Sequence, residues 1–318
     1  MNRFEQLVKQ DTYIDKTPLI EAFINNTNTA LLIRPPHFGL HTLMDTIEAY
    51  FQGRKDLFAR CLIDYKQRET YPILRFKFQA GKYHQPGGLR AYLMQTLKAF
   101  SDQYGFEMKN DQSPIIGFRD LLRKLHKQSG KLIVVLMDHY DAPLLQTRNT
   151  PFYGETLRLL TSFMLVLKDH DDDLKISVVT GTTHQPDCLR EVNNLTNFSN
   201  KIRFHELCGF TKAECPSADE DLYGGYRFAP GGKLLIHPCL LKGEALEMPA
   251  FLKELIKSSD LDINALKPLS LWRLPSDSLF SWLLDYGFLT LLQQSNDDYL
   301  YGIPNKSAER TLSALLKR

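Results

Sequence analysis

Lys131-Leu132-Ile133-Val134-Val135-Leu136-Met137-Asp138 is a β-branched apolar run that follows Gly130 and stops abruptly at a carboxylate. A strand that is apolar on both faces must be covered on both, which is the situation of a parallel strand between helical layers. The alternation repeats on either side. Upstream, Ala30-Leu31-Leu32-Ile33 is a short apolar run bounded by Pro35 and Pro36 and reads as a buried strand. A helix is expected over 40–51, with Leu43, Ile47 and Tyr50 at helical spacing. Ile73-Leu74-Arg75-Phe76-Lys77-Phe78 alternates apolar and basic residues, predicting a strand with one wet face. Helices over 88–104, 115–128 and 153–167 and a strand over 175–180 complete the pattern. Such strand–helix–strand units build an open α/β sheet whose ligands gather at the carboxyl ends of the strands. Residues just after Ile33, Met137 and Val179 are therefore expected to converge on one cleft.

Composition narrows the class. The chain has 318 residues, and 39 Lys+Arg against 37 Asp+Glu give a formal charge of +2, so a dominant basic face for coating nucleic acid is excluded; a local patch is not. No stretch approaches the ~18 uninterrupted apolar residues of a membrane span. The opening Met1-Asn2-Arg3-Phe4-Glu5-Gln6 lacks the apolar core of a secretory signal. The expectation is a cytoplasmic protein with no membrane attachment. Cys61, Cys188, Cys208, Cys215 and Cys239 form no C-x-x-C pair and read as reduced thiols. Zinc on Cys208 and Cys215 fits no common knuckle spacing.

From about residue 204, Pro, Gly and short polar pieces replace the long apolar runs. Helices over 250–257 and 276–284, strands over 288–292 and 299–303 and a closing helix over 306–316 then suggest a small winged-helix-like lobe. The expected layout is a sheet core over 1–205, an irregular connector over 206–248 and the lobe over 249–318. The fold class is α/β, with a smaller α+β lobe after the parallel sheet.

The loops after the strands carry the chemistry. A phosphate-binding loop follows a strand, opens a helix and reads G-x-x-x-x-G-K-[ST], its amides cradling phosphate and its lysine neutralising it. Here the strand is followed by Arg34-Pro35-Pro36-His37-Phe38-Gly39-Leu40-His41-Thr42. The place is right and Gly39 is present, but Leu40 stands where the lysine belongs and His41 where the hydroxyl belongs. The companion feature is a strand ending in Asp-Glu, one carboxylate for the metal and one for the attacking water. This chain has Asp138-His139-Tyr140-Asp141.

Six segments, in order, resemble one family. They are Tyr13-Ile14-Asp15-Lys16-Thr17, Arg34-Pro35-Pro36-His37-Phe38-Gly39, Asp138-His139-Tyr140-Asp141-Ala142-Pro143, Thr180-Gly181-Thr182-Thr183, Tyr223-Gly224-Gly225-Tyr226-Arg227-Phe228 and Gly302-Ile303-Pro304-Asn305. The family is the bacterial AAA-ATPase-like proteins, P-loop NTPases often fused to a C-terminal PD-(D/E)XK nuclease, and the match in order and spacing runs from about Tyr13 to Leu316. The resemblance implies a P-loop NTPase core without the appended nuclease, since the chain stops just after the lobe. It also implies that family lysine has become Leu40, family Ser/Thr His41 and family Glu His139. Pro36 and His37 replace the two loop arginines, and His184 replaces a basic residue after the Thr-Gly strand end. Framework residues such as Gly39, Pro143, Gly181 and Gly225 remain.

Losing an ammonium contact removes roughly 1.5–3 kcal/mol per charge-assisted hydrogen bond, and losing a water-positioning group costs at least ~10²-fold in rate. The expectation is a pseudo-ATPase with a degenerate Walker A and Walker B, working as a binding or scaffold module on a protein partner or another copy of itself. No catalytic residue is assigned; if the protein were active it would be an ATP hydrolase. The alternative is a nucleotide-binding protein with weak ATPase activity, linked to nucleic-acid processing. Arg34, Gly39, His41, Thr42, Asp138 and Arg227 are the residues that would line a vestigial site for ATP or ADP with Mg2+. Arg227 either reaches phosphate or packs between Tyr226 and Phe228. Asp15 and Lys16 either touch nucleotide or serve a helix start. His37, His41, His139 and His184 all fall in strand-end loops beside Asp138, a donor set suited to zinc, but no H-x-x-x-H or H-E-x-x-H spacing supports a metal and none is assigned. The run Asp169-His170-Asp171-Asp172-Asp173 reads as a solvated loop.

Overall fold

The structure is a computed structural model, described here for residues 1–63, 69–109, 112–242, 245–271, 278–295 and 298–316. The chain divides into two compact units. One comprises Met1–Leu32, His41–Gly181 and Gln185–Thr196; the other comprises Ile33–Leu40, Thr182–His184 and Asn197–Arg318.

The first unit is built on a sheet of β1 (Thr29–Ile33), β2 (Ile73–Lys77), β3 (Ile133–Asp138), β4 (Leu174–Gly181) and β5 (Thr196–Asn197) in the order β2-β3-β4-β1-β5. β3 pairs in parallel with β2 and with β4, as a strand apolar on both faces requires. All six residues of β3 are buried. Phe76 of β2 lies edge-on, 5.3 Å from both Phe118 and Phe163, and these two rings stack at 4.7 Å. They come from the helices Pro114–Ser129 and Tyr153–Asp169. The first of these helices starts where Ser113 accepts the Ile116 amide and stops at Gly130, whose φ of 64° reverses the chain into the sheet. Each buried ring contributes roughly 1.5–3 kcal/mol through burial alone, and Phe163→Ala would open a cavity at a cost of about 3–5 kcal/mol.

Two expectations are corrected in this unit. Arg75 does not face water: it is 8% exposed and its guanidinium meets three carboxylates. Alternation alone cannot tell a solvated basic face from a buried one that is charge-matched. The acidic run is not simply a solvated loop either. Asp173 accepts from His126 at 2.5 Å and His170 at 2.7 Å, fixing the turn that leads into β4.

The second unit contains an antiparallel sheet of β6 (Leu269–Leu271), β7 (Thr290–Ser295) and β8 (Asp298–Gly302), ordered β6-β8-β7. It also holds the helices Ala250–Lys257, Leu279–Asp285 and Lys306–Leu316. The expected strand over 288–292 begins late because the amides of Phe288 and Leu289 both turn back to the Leu283 carbonyl, at 2.7 and 3.0 Å. β6 has only three residues, too few for a sequence pattern. Residues 276–277 of the expected helix over 276–284 lie outside the described residues. No helix among the described residues is long and apolar enough to cross a membrane.

Candidate functional site

In the first unit, the end of β3 and the second residue of the helix Leu40–Phe51 bring a polar cluster together. Asp138 is 1% exposed, and both of its oxygens are taken. Its Oδ2 accepts from His41 Nδ1 at 2.9 Å and Arg75 Nη2 at 3.1 Å; its Oδ1 accepts from His139 Nδ1 at 2.8 Å and Thr180 Oγ1 at 3.2 Å. Thr180 arrives because β4 is the neighbour of β3 in the sheet. The other guanidinium nitrogen of Arg75 holds Asp45 and Glu48, each at 2.6 Å. These carboxylates lie three residues apart on one face of the helix Leu40–Phe51.

The electrostatics follow from the geometry. Burial opposes ionisation of Asp138, but the hydrogen bonds from His139 and His41 outweigh it and hold the carboxyl well below the usual carboxylate range. The bond to Asp138 raises the pKa of His41 against the opposing effect of burial. The second nitrogen of His41 stands 3.0 Å from Gln79 Oε1, an acceptor, so both ring nitrogens are placed as donors. His139 adopts φ 56°, left-handed for a residue with a Cβ, and this turn folds its ring back over the aspartate, 4.7 Å from the His41 ring.

The loop after β1 belongs to the second unit, where aromatic packing holds it. Phe38 is fully buried among Tyr226, Phe228 and His237, with ring centroids 5.5, 5.3 and 5.1 Å away. Arg34 is also fully buried. Its guanidinium lies 4.3 Å from the Phe228 ring centre and donates to the carbonyls of Ile33, Ser199, Phe204 and His205. Burial lowers its pKa to about 10. Gly39 adopts φ 100°, with nothing within 4 Å of where a Cβ would stand. Arg227 is tied to β7: its amide donates to Thr290 Oγ1 at 2.8 Å and its guanidinium to the Leu292 carbonyl at 2.7 Å.

The AAA-ATPase-like family, described as a predicted AAA-ATPase, matches residues 1–185, more than half of the chain. The chain belongs to the AAA-ATPase-like family. A curated relative, an uncharacterized protein in the vnfD 5′ region of Azotobacter chroococcum mcd 1, is 26% identical over 245 residues, 71% of this chain and 46% of the relative. The chain therefore spans about half the length of that relative. Among solved structures, Cdc6p from Pyrobaculum aerophilum is similar over 99% of this chain and 93% of its own, at 13% identity and a TM-score of 0.34.

In this AAA-ATPase-like protein the residues singled out from sequence divide between the units. His41, Thr42 and Asp138 lie in the first, with His41 and Asp138 in contact and the Thr42 carbonyl accepting from Thr46 Oγ1. Arg34, Gly39 and Arg227 lie in the second. Of the four loop histidines, His41 and His139 meet. His37 pairs with Glu247 at 3.7 Å, while the His184 ring accepts from Asn197 at 3.0 Å. Asp15 takes the helix-start role, accepting from the Thr17 amide and hydroxyl at 2.8 and 2.7 Å. Arg75, Gln79 and Thr180 were not among the expected site residues. The available signal was the basic residue at the centre of β2 together with two carboxylates at i, i+3 on the helix Leu40–Phe51 that precedes it.

Proposed function

We propose that this AAA-ATPase-like protein is a pseudo-ATPase: a P-loop NTPase-like module that works by binding a protein partner or a second copy of itself. One observation carries the reading. The carboxylate at the end of β3, which in an active relative would face magnesium, is saturated by two imidazoles, a guanidinium and a hydroxyl. Magnesium requires oxygen donors in near-octahedral array, and imidazole is a poor substitute. The lysine and hydroxyl positions hold Leu40, which is buried, and His41, which is spent on Asp138. Both terminal guanidinium nitrogens of Arg34 donate to backbone carbonyls, and Nη1 of Arg227 likewise donates to a carbonyl. This donor set does not fit a magnesium–triphosphate.

Other features support the wider reading. The scattered cysteines, with no C-x-x-C pair among them, support reading the protein as cytoplasmic. The sheet β6-β8-β7 and its three helices support reading residues 249–318 as a winged-helix-like lobe. The test is ATP turnover: magnesium-dependent hydrolysis by the purified chain should not exceed that of Gly39→Asp, and robust turnover abolished by that substitution would refute the reading.

A second reading, nucleotide binding without turnover, draws on the open left-handed turn at Gly39. A nucleotide at 100 times its dissociation constant stabilises by about 2.7 kcal/mol, so a thermal-shift series with ATP, ADP and GTP separates the two.

A further inference from the structure

We propose that His41, Asp138 and His139 form a binding site for one divalent transition-metal ion of borderline softness, such as Zn2+ or Co2+, rather than for magnesium. One ligand atom from each, two imidazole nitrogens and a carboxylate oxygen, lie within 4.8 Å of one another. Tetrahedral ligands at ~2.0–2.1 Å from zinc stand a little over 3 Å apart, so modest side-chain movement closes the set. Both imidazoles already present Nδ1 to the carboxylate, at 2.9 and 2.8 Å. A metal would take the place of the protons in those two bonds.

The surroundings supply what such a site requires. Metal-bound imidazoles are oriented by an acceptor on their other nitrogen, and Gln79 Oε1 stands 3.0 Å from His41 Nε2. Ligating carboxylates are themselves hydrogen-bonded, and Asp138 is held by Arg75 and Thr180. Three carboxylates (Asp45, Glu48, Asp138) against one guanidinium leave two negative charges when the imidazoles are neutral, which a divalent ion balances. The His41 side chain is 54% exposed, leaving room for entry and for water in the remaining coordination positions. The left-handed backbone at His139 has a use here, since it aims that ring at the same oxygen pair. The inference concerns the metal alone and stands whether or not nucleotide binds.

The test is titration of the full chain, stripped of metal by chelator, with Co2+ read by its visible absorption and Zn2+ read by calorimetry. One ion per chain is expected, with nitrogen/oxygen bands and no thiolate charge-transfer band, and affinity falling as acid protonates the imidazoles. His41→Ala and His139→Ala should each weaken binding at least ~10-fold. Millimolar Mg2+ should not compete. Because His41 is exposed, His41→Ala carries the test if the His139 variant does not fold. Failure to bind either ion at neutral pH, a thiolate band, or affinity unchanged in His41→Ala overturns the proposal.

Discussion

The backbone of Gly225 lies so close to Pro304 that a Cβ on the glycine would stand 1.7 Å from the Pro304 carbonyl oxygen. This joins two segments nearly eighty residues apart within the second unit. Asn305 strengthens the junction, donating to the Gly224 carbonyl at 2.9 Å and accepting from the Ala308 amide at the start of the closing helix. Gly225 also adopts φ 109°, so both space and backbone demand glycine. Gly225→Ala should cost about 3 kcal/mol or more in denaturant unfolding, against about 1 kcal/mol for Gly130→Ala, where φ is also positive but the space is open. Equal costs would mean that the close approach contributes nothing.

Arg75 is the charge on which the β2–β3 edge depends. Its removal leaves Asp45, Glu48 and Asp138 close together and largely out of water. Arg75→Met is expected to destabilise by about 3–5 kcal/mol, measured as the shift in the unfolding midpoint. Arg75→Lys should recover only part of this, because a single ammonium cannot span carboxylates on two sides.

His237 donates from Nε2 to the Pro36 carbonyl at 2.8 Å and accepts the Cys239 amide on Nδ1 at 3.2 Å, an arrangement only the neutral ring can make. Burial lowers its pKa to about 4. The unfolded chain, titrating near 6.5, binds this proton first, so the contribution is complete above about 6.5 and is lost as pH falls towards 4, roughly 3 kcal/mol in all. An NMR titration should find this ring neutral at pH 6; a midpoint at the ordinary histidine value would contradict the geometry.

His41 has the opposite sign. Its bond to Asp138 raises its pKa, so its contribution is present below the unfolded value near 6.5 and disappears as pH rises through the folded value. With a half-exposed side chain the effect is small, under about 1 kcal/mol. In metal-free protein, His41→Asn should destabilise more at pH 5.5 than at pH 8.5. The reverse order would show that the ring is not a cation donor to Asp138.

Much of the framework was legible along the chain. The apolar runs at β1, β3 and β4 and the helix Leu40–Phe51 follow from local periodicity, because burial on two faces or on one stripe leaves a mark on neighbouring residues. Asp138 and His41 could be singled out by their place after strands. Their mutual contact could not, since it depends on strand order, which places β4 between β3 and β1.

Hydrophobic spacing in the residue order was sufficient for a helix-covered parallel sheet, because solvent exclusion acts on each segment's own pattern. Partners for the charges came only with three dimensions. Arg75 reads as a wet cation until Asp45, Glu48 and Asp138 fold against it, and Arg34 reads as a phosphate ligand until carbonyls from residues 199–205 surround it. The physical reason is range: a charge is satisfied by whatever lies within a few ångströms, however far away in sequence, so its role is decided by tertiary packing.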